Sequence, residues 1–485
     1  MTLENPFKRM SGSHKALLLL FVITLPFVNP WVRGDGVGYY AYVRSMLIEG
    51  HLDFEKDWEH ANQSFQMYRV GPDGKPKQGD YTATGHIDNH FSTGPSILWA
   101  PFLIVTHGAV LLADRLGAHI PANGFSWPYL DTMAFATALY GFLALLISFE
   151  LARRYFPERW ALLATIGIWF ASSLPVYMYF NPSWSHAHSA FVVALFLWYW
   201  DRTRGTRTIL QWIILGLIAG LLMDVYYPNV MVLMAAAVES LQEYYEGFRR
   251  PSQDRPLGKL AFGNLAFIIA AALAFLPTPI TRVIIYGHPF ASGYGEVGEW
   301  SWLRPHLIRV LFSSDHGLVS WTPIIFFAAV GLLVVLRRDR QLGVALITIS
   351  LPYYYLIATS PFWDGLSSFG SRYFLPLTPI FVIGLAGTFT ALEEFWSTRR
   401  ARILAYGATA FLIIWNLCFI FQWGTHLVPA RGPISWRTMI HNQFTVVPAA
   451  ITIKAESYFL HRHELMNDIE KSDVNQLEKT GPIPK

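Results

Sequence analysis

Residues 16–36 read ALLLLFVITLPFVNPWVRGDG, and the reading of this stretch decides the fold. An apolar run from Ala16 to Val28 is closed by Asn29-Pro30-Trp31, and Asp35 follows at once between two glycines. Lys8, Arg9 and Lys15 precede the run as in a secretory signal peptide, but no small-x-small cleavage site follows it. We therefore read 14–31 as a retained first membrane span. Asp35 then stands at the membrane–water boundary, at the root of a long, acid- and histidine-bearing loop, 32–128.

The remainder agrees with a chain built for lipid. It is 53% hydrophobic and 14% charged, where a soluble domain carries about 25% charged residues. Apolar stretches of roughly 20 residues cross a bilayer core. The candidates are 14–31, 129–151, 160–180, 186–200, 208–225, 228–244, 260–285, 318–336, 341–358, 373–391 and 402–422. This predicts an all-α polytopic membrane protein with about eleven spans, within a range of eleven to thirteen.

Basic residues cluster at Lys8/Arg9/Lys15, Arg153/Arg154/Arg159, Arg202/Arg204/Arg207, Arg249/Arg250/Arg255/Lys259, Arg337/Arg338/Arg340 and Arg399/Arg400/Arg402. All six fall on one side of the spans above, and that side is the cytoplasm. The N-terminus is then inside. The loops 32–128, 181–185, 226–227, 286–317 and 359–372, with the tail 423–485, face out. Ser96–Ala113 is apolar enough to cross, but crossing would turn every later cluster outward, so an interfacial helix in the outer leaflet is expected. Prolines within spans (Pro175, Pro277, Pro279, Pro352, Pro376, Pro379) predict helices kinked around a cavity. Residues 1–422 form the expected catalytic domain, and the tail is too small for one.

Chemistry-bearing residues gather on the outer side. Asp35 has two readings, a carboxylate capping a helix that starts near Val37 and a catalytic base. Asp53, Glu55, Asp57 and Glu59 read as a solvated acidic stretch. His186-x-His188 reads as polar residues opening a span, because that spacing does not aim both rings at one metal. Asp224 ends a span, where ionisable groups tend to be functional. Arg372 enters the tenth span beside Phe369 and Tyr373, either snorkelling or holding a phosphate at headgroup depth. Without P-loop, H-E-x-x-H or G-x-S-x-G, ATP-driven pumps and the commoner hydrolases have no support. The lone Cys418 allows no internal disulfide.

This order of features resembles the GT-C superfamily of polytopic glycosyltransferases. Within it, the chain looks like glycosyltransferase family 39, the protein O-mannosyltransferase and aminoarabinose-transferase type. The resemblance covers most of the chain. It rests on Asp35 after the first span, on the long external loop with a helix after Gly94-Pro95, and on the stretch Trp363–Pro376. Gly36 stands where many relatives carry a second acidic residue. The histidine-proline-proline-leucine of the eukaryotic enzymes and an appended lumenal sugar-binding domain are both missing.

The resemblance implies transfer of a sugar, with inversion, from a polyprenyl phosphate to an acceptor outside the cytoplasm, whether lipid, glycan or protein. Asp35 is then the catalytic base. The leaving phosphate needs a cation, and Arg372 is the first candidate, with Arg304 and His316 in reserve. Tyr39, Tyr40, Asp88, His90, Asp224, Trp363 and Asp364 are candidates for binding substrate. The scheme needs no cofactor and no metal, although the many Asp and His leave a divalent cation open. The expected partners are a polyprenyl-phosphate-linked sugar, membrane lipid and the acceptor, without nucleic acid. The expected location is the bacterial inner membrane. Two rivals are a flippase for a lipid-linked substrate, which calls for a repeat the sequence lacks, and a polysaccharide ligase or polymerase, which usually places its large loop late.

Overall fold

The computed structural model describes residues 11–249, 257–291 and 300–480. Lys8, Arg9, Arg250 and Arg255 of the basic clusters lie outside them. Among the described residues the chain is helical, with two isolated bridges, Val70–Pro76 and Tyr81–Ile87, in the first loop. Six helices are long and apolar enough to cross a membrane: Gly94–Arg115, Trp127–Ala152, Leu257–Ala274, Arg340–Thr359, Arg372–Phe395 and Thr398–Gly424. Gly12–Phe27 and Ile209–Val225 are shorter apolar helices. The chain is a polytopic membrane protein.

Proline and turn chemistry break several expected spans. The stretch 260–285 is two helices, Leu257–Ala274 and Pro277–Tyr286, because Pro277 starts a new helix at its fixed φ. Pro323 likewise divides Leu318–Trp321 from Ile324–Arg338. Glu158–Phe170 ends before a wide π turn, Val176–Phe180, that follows Pro175.

Thr378–Phe395 runs through the centre with most of its residues buried. It meets Ile324–Arg338 so closely that a Cβ on Gly331 would lie 1.8 Å from the Gly384 carbonyl oxygen, so only glycine permits the crossing. The basic loops converge at one end of this bundle, where Arg204 pairs with Asp339 and Arg159 with Glu393. Buried Arg207 pairs with buried Glu239 at 2.7 Å on the same side.

Gly94–Arg115 begins against Asp224 and Val225. It then runs antiparallel to Trp127–Ala152: Tyr140 donates to the Leu98 carbonyl (3.0 Å), Trp99 to Thr137 (2.9 Å), Thr106 meets Thr132 (2.8 Å), and His107 meets Tyr129 (2.6 Å). The two helices therefore share only the stretch from Tyr129 to Tyr140. At 1.5 Å per residue, about 18 Å of the longer helix lies beyond Tyr140, toward Ala152.

The first loop is stapled rather than solvated. Asp57, expected in an exposed acidic stretch, is 3% exposed and accepts two bonds from buried Arg44, at 2.8 and 2.7 Å. The tail, expected to be too small for a catalytic domain, is helical. It forms three helices, Trp436–Phe444, Val446–Leu460 and Arg462–Thr480, and the last packs on the first loop.

Cysteines at exposed Thr206 and Arg399 should be shielded from an impermeant thiol reagent in whole cells, while those at exposed Lys75 and Ala118 label. Labelling at Thr206 would invert the orientation, and protection at Ala118 would make Gly94–Arg115 a crossing helix.

Candidate functional site

The helix Asp35–Ile48 starts at the acid itself. Gly34 occupies the cap position with φ 53°, and no side chain caps the helix. The capping reading of Asp35 is therefore corrected. Its Oδ2 instead accepts from Nη1 of Arg372 at 2.6 Å.

Arg372 is 5% exposed, so it does not snorkel to water. Its guanidinium lies 4.3 Å from the Trp184 ring and 5.3 Å from that of Tyr373. Nε of Arg372 is buried without a hydrogen-bond partner among the described residues. A buried donor left open is costly, and it offers a ligand oxygen a place.

The corner at 181–188 closes the other side. Trp184 donates through Nε1 to the Arg33 carbonyl at 2.9 Å, and Ser183 takes up the space beside Gly36. A Cβ at position 36 would stand 1.9 Å from Ser183 Oγ. No acidic side chain fits there, which accounts for this glycine. Tyr39 is hydrogen-bonded to Ser185 at 3.1 Å. Burial, reinforced by the charge of Asp35, pushes its phenol well above the ordinary value, so it stays a neutral hydroxyl.

Asp35 and Arg372 line a cavity of about 610 Å³. On the side of the first loop and tail its wall carries Arg33, Arg69, Arg431, Lys454 and Asp473. On the helix side it carries Phe27, Phe170, Pro175, Phe180, Leu417 and Phe421. Cations outnumber carboxylates, and an apolar trough adjoins them, a combination suited to an anionic headgroup on a greasy chain. Arg69 has no ion pair among the described residues and lies over the Phe65 ring at 4.2 Å. No cluster of three His, Cys, Asp or Glu able to hold a metal exists among the described residues.

Other expected residues are placed elsewhere. Arg304 is exposed and is not part of the cavity wall, which corrects its reserve role. His316 is buried, and its Nδ1 must donate to the Asp364 carbonyl at 2.9 Å, leaving Nε2 a bare acceptor. Burial lowers its pKa to about 4, so it is neutral and cannot serve as a phosphate cation. Tyr40 bonds the Gly124 carbonyl at 2.7 Å beneath Trp99. Asp88 accepts from Tyr286, and the Asp88 and His90 rim is not part of the cavity wall. Asp224 is fully buried and accepts from Thr278 at 2.5 Å. Trp363 packs against His306, with ring centroids 5.6 Å apart. Asp364 uses its backbone on His316, and the cavity takes Leu366 and Ser367 instead. Sequence reasoning missed Arg69, Arg431 and the tail.

No protein-family model matches the chain, and no curated protein matches it. Among solved structures, ArnT from Cupriavidus metallidurans bound to undecaprenyl phosphate is similar over 95% of this chain and 73% of its own, with a TM-score of 0.53 at 14% identity. The chain has the GT-C fold. The apo oligosaccharyltransferase of Archaeoglobus fulgidus matches 87% of the chain (TM-score 0.46, 16% identity), and the chain spans 55% of its length. Arabinosyltransferase EmbB from Mycobacterium smegmatis matches 98% of the chain and 40% of its own (TM-score 0.43, 12% identity). In this GT-C fold the first loop and the entry of Arg372–Phe395 meet at one point.

Gly36→Ala should force Ser183 aside and cost about 1–3 kcal/mol. The thermal midpoint of the detergent-purified variant should fall, and Ser183→Gly in the same chain should restore most of it. A Gly36→Ala protein of parental stability would overturn the packing account.

Proposed function

We propose that this protein is a membrane glycosyltransferase that moves a sugar from a polyprenyl phosphate to an acceptor hydroxyl outside the cytoplasm, with inversion. The observation that carries this reading is the contact between Asp35 and Arg372 on the wall of a cavity both cationic and apolar. The undecaprenyl phosphate bound by the similar ArnT supports a lipid phosphate as one ligand.

In the reaction, the acceptor oxygen attacks the anomeric carbon from the face opposite the phosphate. Asp35 takes the hydroxyl proton as the new C–O bond forms, help worth about 10²–10⁴-fold. The bond from the anomeric carbon to the phosphate oxygen breaks, and its electron pair leaves on polyprenyl phosphate. Arg372 balances that growing charge through its open Nε, while Nη1 keeps the base oriented. The neutral Tyr39 hydroxyl stands beside the reacting carboxylate. No general acid is required, because the leaving group departs as an anion. The reading places the protein in a cell-envelope membrane, the bacterial inner membrane, and leaves the sugar to be found by assay.

The test supplies undecaprenyl phosphate carrying labelled mannose, arabinose or aminoarabinose in turn, with a membrane extract as the source of acceptor. Transfer from one of them is expected, and its absence from all three would sink the reading.

Asp35→Asn keeps the shape and an acceptor oxygen for Arg372, but it cannot take a proton. Turnover should fall by roughly 10²-fold or more at normal abundance. Near-parental turnover would remove Asp35 as base. Arg372→Ala should weaken binding of undecaprenyl phosphate, with Arg372→Lys in between. Equal affinity in a folded Arg372→Ala protein would return Arg372 to a purely structural role.

A further inference from the structure

The C-terminal helix Arg462–Thr480 holds the turn on which Asp35 sits, and it does so at two points. Glu470, 7% exposed, accepts through Oε1 from Asn62 Nδ2 at 2.9 Å and from the Ser64 backbone N–H. Asn62 in turn uses its Oδ1 to accept the Gly34 backbone N–H at 3.1 Å. Three residues along, Asp473 pairs with Arg33 through Oδ2 and with His426 Nε2 through Oδ1 at 2.9 Å. Burial works against the charge of Asp473, but Arg33 and His426 more than offset it and hold its carboxyl below the usual range.

Both residues before Asp35 are thus tied to one helix. Gly34 needs such a tie. Its φ of 53° and its lack of a side chain leave the backbone soft where the carboxylate must be aimed. The same helix and its neighbour also wall the cavity with Tyr458, Met466 and Ile469. Asn29 reaches Met466 Sδ at 3.1 Å and Tyr68 reaches the Leu477 carbonyl at 3.1 Å, so the helix is docked along its length.

We infer that Glu470 and Asp473 are positioning residues for the transfer reaction: the C-terminal helix sets the aim of Asp35 through the chains Glu470–Asn62–Gly34 and Asp473–Arg33. The inference rests on the reading of Asp35 as base. A misplacement of about 1 Å from a distant change can cost 10²-fold in rate. Glu470 is not part of the cavity wall, so a change there leaves the charges that face the donor as they were.

The experiment compares Glu470→Gln, Asp473→Asn and their double variant with the full-length parent. Turnover with the labelled donor should fall roughly 10- to 100-fold in the double variant. In Glu470→Gln, whose side chain is not part of the cavity wall, the dissociation constant for undecaprenyl phosphate, read from tryptophan fluorescence, should change less than about 3-fold, less than half a tenfold step in free energy. Hydrogen–deuterium exchange in the peptide spanning 32–38 should rise. Parental turnover and parental exchange in a folded double variant would overturn the inference. If the double variant does not fold, Asn62→Ala removes the acceptor for the Gly34 N–H without unpairing Asp473, and it carries the same expectation. Asp35→Asn run in parallel separates the two ideas. An inactive Asp35→Asn beside fully active Glu470 and Asp473 variants overturns only the positioning role. A fully active Asp35→Asn overturns the base itself.

Discussion

The contact between Asp35 and Arg372 joins the turn that follows the first apolar helix to the start of the most central helix, across most of the chain. A guanidinium kept from water is tolerable only with a partner, and here the partner lies at the boundary where water begins. Much around it follows from keeping that pair in register. Trp184 covers the guanidinium, Ser183 presses the helix start against the corner at 181–188, and Gly34 supplies a backbone bend that other residues rarely adopt. Replacing buried pairs by apolar residues is often neutral or stabilising, so stability alone does not account for a charged pair here. Its placement on a cavity wall gives the better reason.

The fold was legible in the sequence wherever the physics is local. Apolar runs set the helices, basic clusters set a common end, and the bundle gathers those clusters together at Arg204–Asp339 and Arg159–Glu393. Hydropathy does not see where one apolar stretch becomes two helices. At Pro277 and Pro323 the greasy run continues, and only the missing N–H and fixed φ of proline start a new element. The acidic stretch around Asp57 misled for a related reason. Charge in a loop usually means solvent, and the partner that buries it, Arg44, comes from the preceding helix, Asp35–Ile48.

The site divides in the same way. Asp35 and Arg372 could be singled out because each is an ionisable group at the point where chain and lipid part company. Arg304 satisfied the same charge rule yet is exposed away from the cavity, and His316 satisfied the residue-type rule yet is kept neutral by burial. The tail was dismissed on size. Its contribution comes from contacts such as Asn62–Glu470 and Arg33–Asp473, between residues far apart in the chain, and nothing in local composition announces them.

The packing around Gly36 also narrows the chemistry. Glycoside hydrolysis as usually catalysed needs two carboxyl groups across the reacting carbon, one held as an acid. Ser183 leaves no room for a second acidic side chain beside Asp35. Asp473, the other carboxylate of the cavity wall, has both oxygens engaged by cationic or hydrogen-bonding partners and is held in its charged form. Beside Asp35, which is paired with Arg372, the cavity therefore offers several cations. Such a set suits the deprotonation of an incoming hydroxyl and the steadying of a departing anion.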